Sequence, residues 1–271
     1  MMNGITIGQF FPGNSLLHRL DPRVKILLTL CYIVAVFVPS NWYGLGMAVA
    51  FLIAAVLLSR LPLKLIFKSL KPILPILIFT ALLNMFYVSG GVTLWEWGVL
   101  HLTTQGLIAA AFLAIRIIAL IAGSSLLTYT TGPTALTDAL ERLMRPLKVI
   151  KVPVHEIAMM MTIALRFIPT LVEETDKIMS AQKARGADME SGGLFKRIKA
   201  LVPILIPLFV SSFRRAYELA MAMECRCYHG GEGRTRMKQL HMGLRDWLAL
   251  LTMALLIGGM IVLNVFVTPV L

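Results

Sequence analysis

The sequence predicts an all-α integral membrane protein with about five transmembrane helices and long cytoplasmic or interfacial helices between the fourth and fifth spans. Hydrophobic residues make up 58% of its 271 residues, and the mean hydropathy of +0.79 lies above the range of soluble chains. These residues gather into five apolar segments, namely residues 24–38, 42–59, 73–88, 106–128 and 247–267.

The first three apolar segments are short for a membrane span. A helix rises about 1.5 Å per residue, so about 20 residues cross a hydrocarbon core of about 30 Å. These segments must therefore recruit flanking residues or thin the bilayer. The first has a clear start, because Asp21 is a favoured capping residue and Pro22 is favoured at the first helical position.

The region between the fourth and fifth spans predicts two long helices of similar plan. The first joins an apolar half, residues 157–172, to a charged half, residues 173–185, and the second repeats this order over residues 201–213 and 214–226. Pro203 and Pro207 are expected to bend the second helix. The predicted division is residues 1–130 for the first spans, 131–246 for the coupling-helix region and 247–271 for the last span.

The distribution of positive charge predicts the topology. Eighteen of the 26 Lys and Arg residues lie in residues 131–246, whereas the predicted outer segments 39–41 and 89–105 have none. Because Lys and Arg favour cytoplasmic loops, we predict a multi-pass cell-membrane protein with its N-terminus and residues 131–246 cytoplasmic and its C-terminus outside. This topology, together with anionic lipid, accounts for the net charge of +12 without a nucleic-acid partner.

Two arginine tripeptides end the two long helices forty-one residues apart. An arginine at a helix C-terminus interacts favourably with the helix dipole, and this capping role is the simpler interpretation. Its planar guanidinium also suits carboxylates on another protein, and two such ends on parallel plans favour docking onto a partner. The predicted docking residues are Ala184, Arg185, Gly186, Cys225, Arg226 and Cys227.

The same spacing of forty-one residues places two acidic residues opposite two basic ones. If the long helices cross near this level, Glu173 and Glu174 would attract Arg214 and Arg215; otherwise all four belong to solvated helix faces. Arg116 is the one basic residue deep inside a span, where a charge costs about 2.5 to 3.5 kcal/mol. It should face protein or water, with a structural role favoured over a substrate-binding one.

Motifs for catalysis and metal binding are missing from the sequence. It contains no GxxxxGK[ST] loop for nucleotide phosphates, no HExxH zinc motif and no GxSxG nucleophile. Cys225, Cys227 and His229 form a cluster without a convincing fourth ligand. We therefore expect a non-catalytic chain with no metal or other cofactor of its own.

Five short motifs are spread over essentially the whole chain. They are PGNS at 12–15, LHRLDPRVK at 17–25, LRFIP at 165–169, AQKARG at 181–186 and ECRCY at 224–228. Together they resemble the transmembrane T component of energy-coupling factor (ECF) transporters, the EcfT and CbiQ-like family of vitamin and metal importers. In the last motif, cysteines replace the Ala and Gly usual in the family, so the local helix end is expected to differ.

The resemblance implies a complex of this chain with two cytoplasmic ABC-type ATPases, which bind ATP and Mg, and a small membrane substrate-capture (S) subunit. It also implies that Arg185 and Arg226 insert into grooves on the ATPases. The leading alternative is a stand-alone secondary transporter or channel that uses Arg116 in a substrate pathway. A membrane-embedded enzyme is a third possibility.

Overall fold

The computed structural model describes residues 10–87, 90, 92–97, 100–186, 193–231 and 240–267. The predicted outer segment 89–105 and region 131–246 therefore lie partly outside the described residues. The chain divides into two compact units: Gly8–Ala139 with Gln239–Leu271, called here the bundle unit, and Met1–Ile7 with Leu140–Lys238, called the helix-pair unit.

The described residues are mostly helical, which confirms the all-α fold class. One short antiparallel hairpin, missed from the sequence, pairs Thr93 with Thr103 and Trp97 with Leu100 around a bulge. The elements are α1 Pro22–Phe37, α2 Trp42–Ser59, α3 Leu63–Leu70, α4 Leu74–Tyr87, β1 Thr93–Trp97, β2 Leu100–Thr103, α5 Thr104–Thr130, α6 Pro133–Leu143, α7 Val154–Ala184, α8 Leu194–Glu224 and α9 Leu244–Phe266.

Six described helices are long and apolar enough to cross a membrane by length and composition. Four coincide with predicted spans two to five; in one of these, α3 and α4 run on through a 3₁₀ turn as Leu63–Tyr87. The first predicted span forms α1, whose 16 residues cover only about 24 Å. The other two are α7 and Lys199–Glu224 of α8, so the predicted count of about five is approximate.

Helix α5 is the centre of the bundle unit and packs against α1, α2, α3 and α4. Small residues make this close packing possible: a Cβ added at Gly123 would overlap the ring of Tyr32. Tyr32 is 4% exposed and belongs to a core that α9 completes with Met253 and Met260. Burial of these apolar side chains stabilises the unit.

A buried polar cluster joins the start of α1 to the start of α9. The Asp21 carboxylate caps α1, as predicted, by accepting from the backbone N–H of Arg23 at 2.9 Å, and it also pairs with the Arg23 guanidinium at 2.7 Å. The backbone N–H of Asp21 donates to Asp246 Oδ1 at 2.8 Å, while Asp246 Oδ2 accepts from Gly243 N at 2.8 Å. We call this the Asp21 end of the bundle.

A second polar cluster joins the α1–α2 connection to the other end of α9. Asn264 accepts from the backbone N–H of Ser40 at 3.0 Å and donates to the carbonyl of Val38 at 2.8 Å. Asn41 caps α2 through Gly44 N and donates to the carbonyl of Leu263 at 3.1 Å. Helix α9 is thus held at both ends by residues more than two hundred positions away.

Candidate functional site: the arginine helix ends

Helices α7 and α8 pack against each other within the helix-pair unit. The Gln182 side chain near the end of α7 donates to the carbonyl of Pro203, in the first part of α8, at 3.4 Å. Earlier on α7, Phe167 lines a small cavity with Leu219, which lies late on α8. Contacts therefore move backwards along α8 as they move forwards along α7. The helices run antiparallel, and their C-terminal arginines lie at opposite ends of the pair.

The first arginine end closes α7 with a glycine in the left-handed conformation. Gly186 has φ +84° and its N–H donates to the carbonyl of Lys183 at 3.0 Å. The Arg185 N–H donates to the carbonyls of Ala181 and Gln182, at 3.2 and 3.1 Å. This pattern satisfies carbonyls that the end of a helix leaves without partners.

The second arginine end closes α8 in the same way, although it has no glycine. Cys227 takes the left-handed conformation with φ +55°, and its N–H donates to the carbonyl of Glu224 at 2.8 Å. The Tyr228 N–H then reaches back to the carbonyl of Met223 at 3.0 Å, which completes a Schellman motif. The expectation that cysteine changes this helix end is therefore wrong, because Cys227 adopts the backbone conformation of Gly186.

Both arginine side chains are exposed. Their neighbours in the two tripeptides are exposed as well, namely Ala184, Gly186, Cys225 and Cys227. Within the described part of the chain, neither Arg185 nor Arg226 forms a hydrogen bond or an ion pair through its guanidinium. Each helix thus presents a solvated cation at its C-terminus, where the dipole favours positive charge. Such an end is chemically suited to a carboxylate of another molecule.

One acidic residue of α7 pairs with a basic residue of α8. Arg215 Nη2 lies 2.6 Å from Glu174 Oε2, and both side chains are partly buried. Glu173 and Arg214 are exposed and, among the described residues, form no ion pair with each other. The helix crossing therefore holds one of the two residue pairs with the forty-one-residue spacing and leaves the other in solvent.

Arg116 lies on α5 in the bundle unit. Its Nη2 donates to the carbonyl of Pro39 at 2.7 Å, and its Cζ lies 4.7 Å from the ring centroid of Phe112 and 5.9 Å from that of Phe37. Stacking over aromatic faces stabilises a cation without a carboxylate. The positive charge of Arg116 is thus stabilised by groups of the protein itself: a backbone carbonyl of the α1–α2 connection and the rings of Phe37 and Phe112.

Apolar side chains remain exposed along α8. Phe209 is 61% exposed, Phe213 72% and Tyr217 68%, and they follow one another at helical spacing. Met160 and Met161 are exposed on α7. Long aromatic and thioether side chains provide apolar surface for lipid or for another membrane protein.

These features define the class of protein first: a multi-pass membrane protein in which two long helices, α7 and α8, end at exposed arginines. Known proteins then identify the family. The family model for CbiQ, described as a cobalt transport protein, matches residues 13–238. The chain is 55% identical over 258 residues to the energy-coupling factor transporter transmembrane protein EcfT of Clostridium kluyveri, covering 95% of this chain and 96% of that protein.

Two further relatives carry the same name. The protein of Ruminiclostridium cellulolyticum is 57% identical over 240 residues, 89% of this chain and 90% of its own length. That of Brevibacillus brevis is 50% identical over 257 residues, 95% and 97% of the two chains. The chain therefore belongs to the EcfT and CbiQ family of ECF transporter transmembrane components. The resemblance found in the motifs is confirmed.

Two residues that hold the last helix in place, Asp246 and Asn264, were not predicted from the sequence. Asp246 accepts two backbone N–H groups and is 5% exposed, and Asn264 bonds to the α1–α2 connection. A partial signal for Asp246 was present, because an acid at the third position of a helix can accept the backbone N–H of the N-cap residue, here Gly243. For Asn264, a single amide near the end of a span, no comparable signal exists.

Proposed function

We propose that this chain is the coupling subunit of an ECF-type importer for a vitamin or a metal ion. In this proposal two ABC-type ATPases bind Arg185 and Arg226 on the cytoplasmic side, and a small membrane subunit captures the substrate. The observation that carries it is the pair of exposed arginine ends, closed by the same turn and lying at opposite ends of an antiparallel helix pair. Membership of the ECF transporter family supports it.

The mechanism we infer is mechanical. ATP and Mg²⁺ would be bound and used by the partner ATPases, and closure of the two ATPases would displace the two arginine ends relative to each other. Because α7 and α8 cross and share an ion pair, displacement at either end would move their exposed apolar faces. The capture subunit, resting on such a face, would then reorient and release its substrate. This chain itself would perform no chemistry.

The proposed orientation follows the distribution of positive charge. The N-terminus and residues 131–246 would be cytoplasmic and the C-terminus outside. A stand-alone transporter that uses Arg116 in a substrate pathway has less support, because Arg116 is occupied by the Pro39 carbonyl and two aromatic rings.

Affinity purification from the native membrane tests this function, with co-purifying proteins identified by mass spectrometry. We expect the unchanged chain to bring down two ATPases and small membrane proteins, and Arg185→Glu or Arg226→Glu to lose ATPase while the chain stays in the membrane. Arg214→Glu is the matched control, since it makes the same charge change at an exposed site in mid-helix. Recovery of the chain alone from every sample would favour the stand-alone transporter.

A further inference from the structure

A partly open cavity of about 780 Å³ lies in the bundle unit, near its Asp21 end. Four helices line it: α1 contributes Leu28, α2 Phe51, α5 Leu126 and α9 Leu256, and Tyr32 also lines it. Pockets that enclose whole organic molecules have volumes of about 300 to 1,000 Å³. The cavity is therefore large enough for a ligand, and its wall is almost entirely apolar.

The rim of the cavity is exposed and apolar. Leu58 on α2 is 50% exposed, and Leu248 and Leu255 on α9 are 55% and 67% exposed. These residues belong to two helices long and apolar enough to span a membrane, so the rim would face hydrocarbon rather than water. An apolar cavity offers too few polar partners to hold ordered water. Acyl chains of lipids that lie against the rim would therefore occupy it.

The Asp21 end of the cavity carries more positive than negative charge. Among the described residues, its three cations stand against two acids: Arg23, Lys25 and Arg245 against Asp21 and Asp246. Arg245 lines the cavity, is exposed, and has no ion pair or hydrogen bond from its side chain in the described part of the chain. Lys25 also lines it, and its ammonium donates to the carbonyls of His18 and Thr130 rather than to an acid. Asp246, the nearest carboxylate along the chain, accepts two backbone N–H groups.

From this geometry we propose that the cavity binds one anionic phospholipid, with an acyl chain among α1, α2, α5 and α9 and the phosphate at Arg245. Basic residues at the mouth of a pocket between membrane helices attract anionic headgroups. A helix of a partner protein fits less well. A helix is roughly 10 Å across and rises about 1.5 Å per residue, so fewer than about seven helical residues would fill the cavity. The proposal does not depend on the coupling function.

Native mass spectrometry of the purified full-length chain, in micelles doped with phosphatidylglycerol or phosphatidylcholine of identical acyl chains, tests the headgroup. We expect one phosphatidylglycerol to be retained, at least about fivefold more than phosphatidylcholine, and Arg245→Gln to remove most of this preference. Lys68→Gln is the control, because Lys68 is an exposed cation outside the cavity. Equal retention of the two lipids by the unchanged chain overturns the proposal.

Filling the cavity tests the acyl-chain site. Ala249→Trp on α9 and Ala54→Phe on α2 add bulk from two walls, so at least one variant should keep the melting temperature of the parent. The folded variant should retain several-fold less phosphatidylglycerol than the parent. If a folded, filled variant retains as much lipid as the parent, the lipid binds elsewhere and the cavity is not its site.

Discussion

At the residue scale, the end of α8 shows what the sequence could and could not predict. The glycine of the first arginine end predicts a left-handed cap, and Gly186 adopts it. The cysteine of the second end gives no such signal, because residues other than glycine rarely have positive φ. Cys227 adopts that conformation because the Schellman hydrogen bonds of α8 require it.

Replacing Cys227 with glycine should therefore stabilise the protein. A left-handed residue with a Cβ is strained by about 1 kcal/mol, and glycine removes this strain at the cost of some unfolded-state entropy. We expect Cys227→Gly to raise the melting temperature of the purified chain slightly, and the reciprocal Gly186→Ala to lower it. An unchanged melting temperature for Gly186→Ala would show that backbone strain does not govern these ends.

Arg116 gives a second prediction at this scale. Its guanidinium stacks over Phe112, whereas a lysine retains the charge but has no planar face to stack. Arg116→Lys should reduce the free energy of unfolding by about 1 kcal/mol. In a Phe112→Leu background the same substitution should cost much less. Equal costs in the two backgrounds, measured by thermal unfolding, would contradict the stacking role.

At the element scale, the crossing of α7 and α8 depends on partly buried polar contacts. The spacing of forty-one residues is the same for Glu174 with Arg215 and for Glu173 with Arg214. The sequence alone therefore could not show which of the two pairs is in contact. Only packing determines which pair is close, because adjacent residues on a helix point about 100° apart. The structure joins Glu174 to Arg215 and leaves the neighbouring pair apart.

A double-mutant cycle measures this ion pair. Glu174→Arg and Arg215→Glu should each destabilise the helix-pair unit, and the double reversal should restore about 0.5 to 1 kcal/mol, a range typical of partly exposed pairs. The control cycle, Glu173→Arg with Arg214→Glu, should show no coupling beyond experimental error. Equal coupling in the two cycles would mean that general charge balance, rather than the 2.6 Å contact, is measured.

At the scale of the whole molecule, hydropathy predicted which segments are helical but not how they are connected in space. Four of the five apolar segments form candidate spans, and the first of the five, residues 24–38, forms the short α1. Apolar runs of this kind are helical because a helix satisfies its own backbone hydrogen bonds in hydrocarbon. The return of α9 to α1 and α2 could not be predicted, since it depends on single polar side chains. The hairpin from Thr93 to Thr103 was missed because its strands are short and the bulge interrupts the alternation of the first strand at Leu94 and Trp95, although Leu100–Thr103 alternates apolar and polar residues.

The two attachments of α9 should contribute independently to stability. Asp246 and Asn264 are 18 residues apart, or about 27 Å along the helix. Asp246→Ala and Asn264→Ala each remove two hydrogen bonds to backbone groups that are buried or partly buried for the most part, and each should cost about 1 to 3 kcal/mol. The double variant should lose the sum within about 0.5 kcal/mol. Ser124→Ala, which removes a local hydrogen bond on α5, should have little effect on thermal unfolding.

The central claim is that the two arginine ends meet ATPases, and site-specific photo-crosslinking tests it most directly. A photoreactive amino acid would replace Ala184, Cys225 or the control Arg214 in the native membrane, so that Arg185 and Arg226 stay in place, and crosslinked proteins would be identified by mass spectrometry. The account predicts an ABC-type ATPase crosslinked at positions 184 and 225 and none at 214. Co-purified ATPases that crosslink at neither helix end would contradict it.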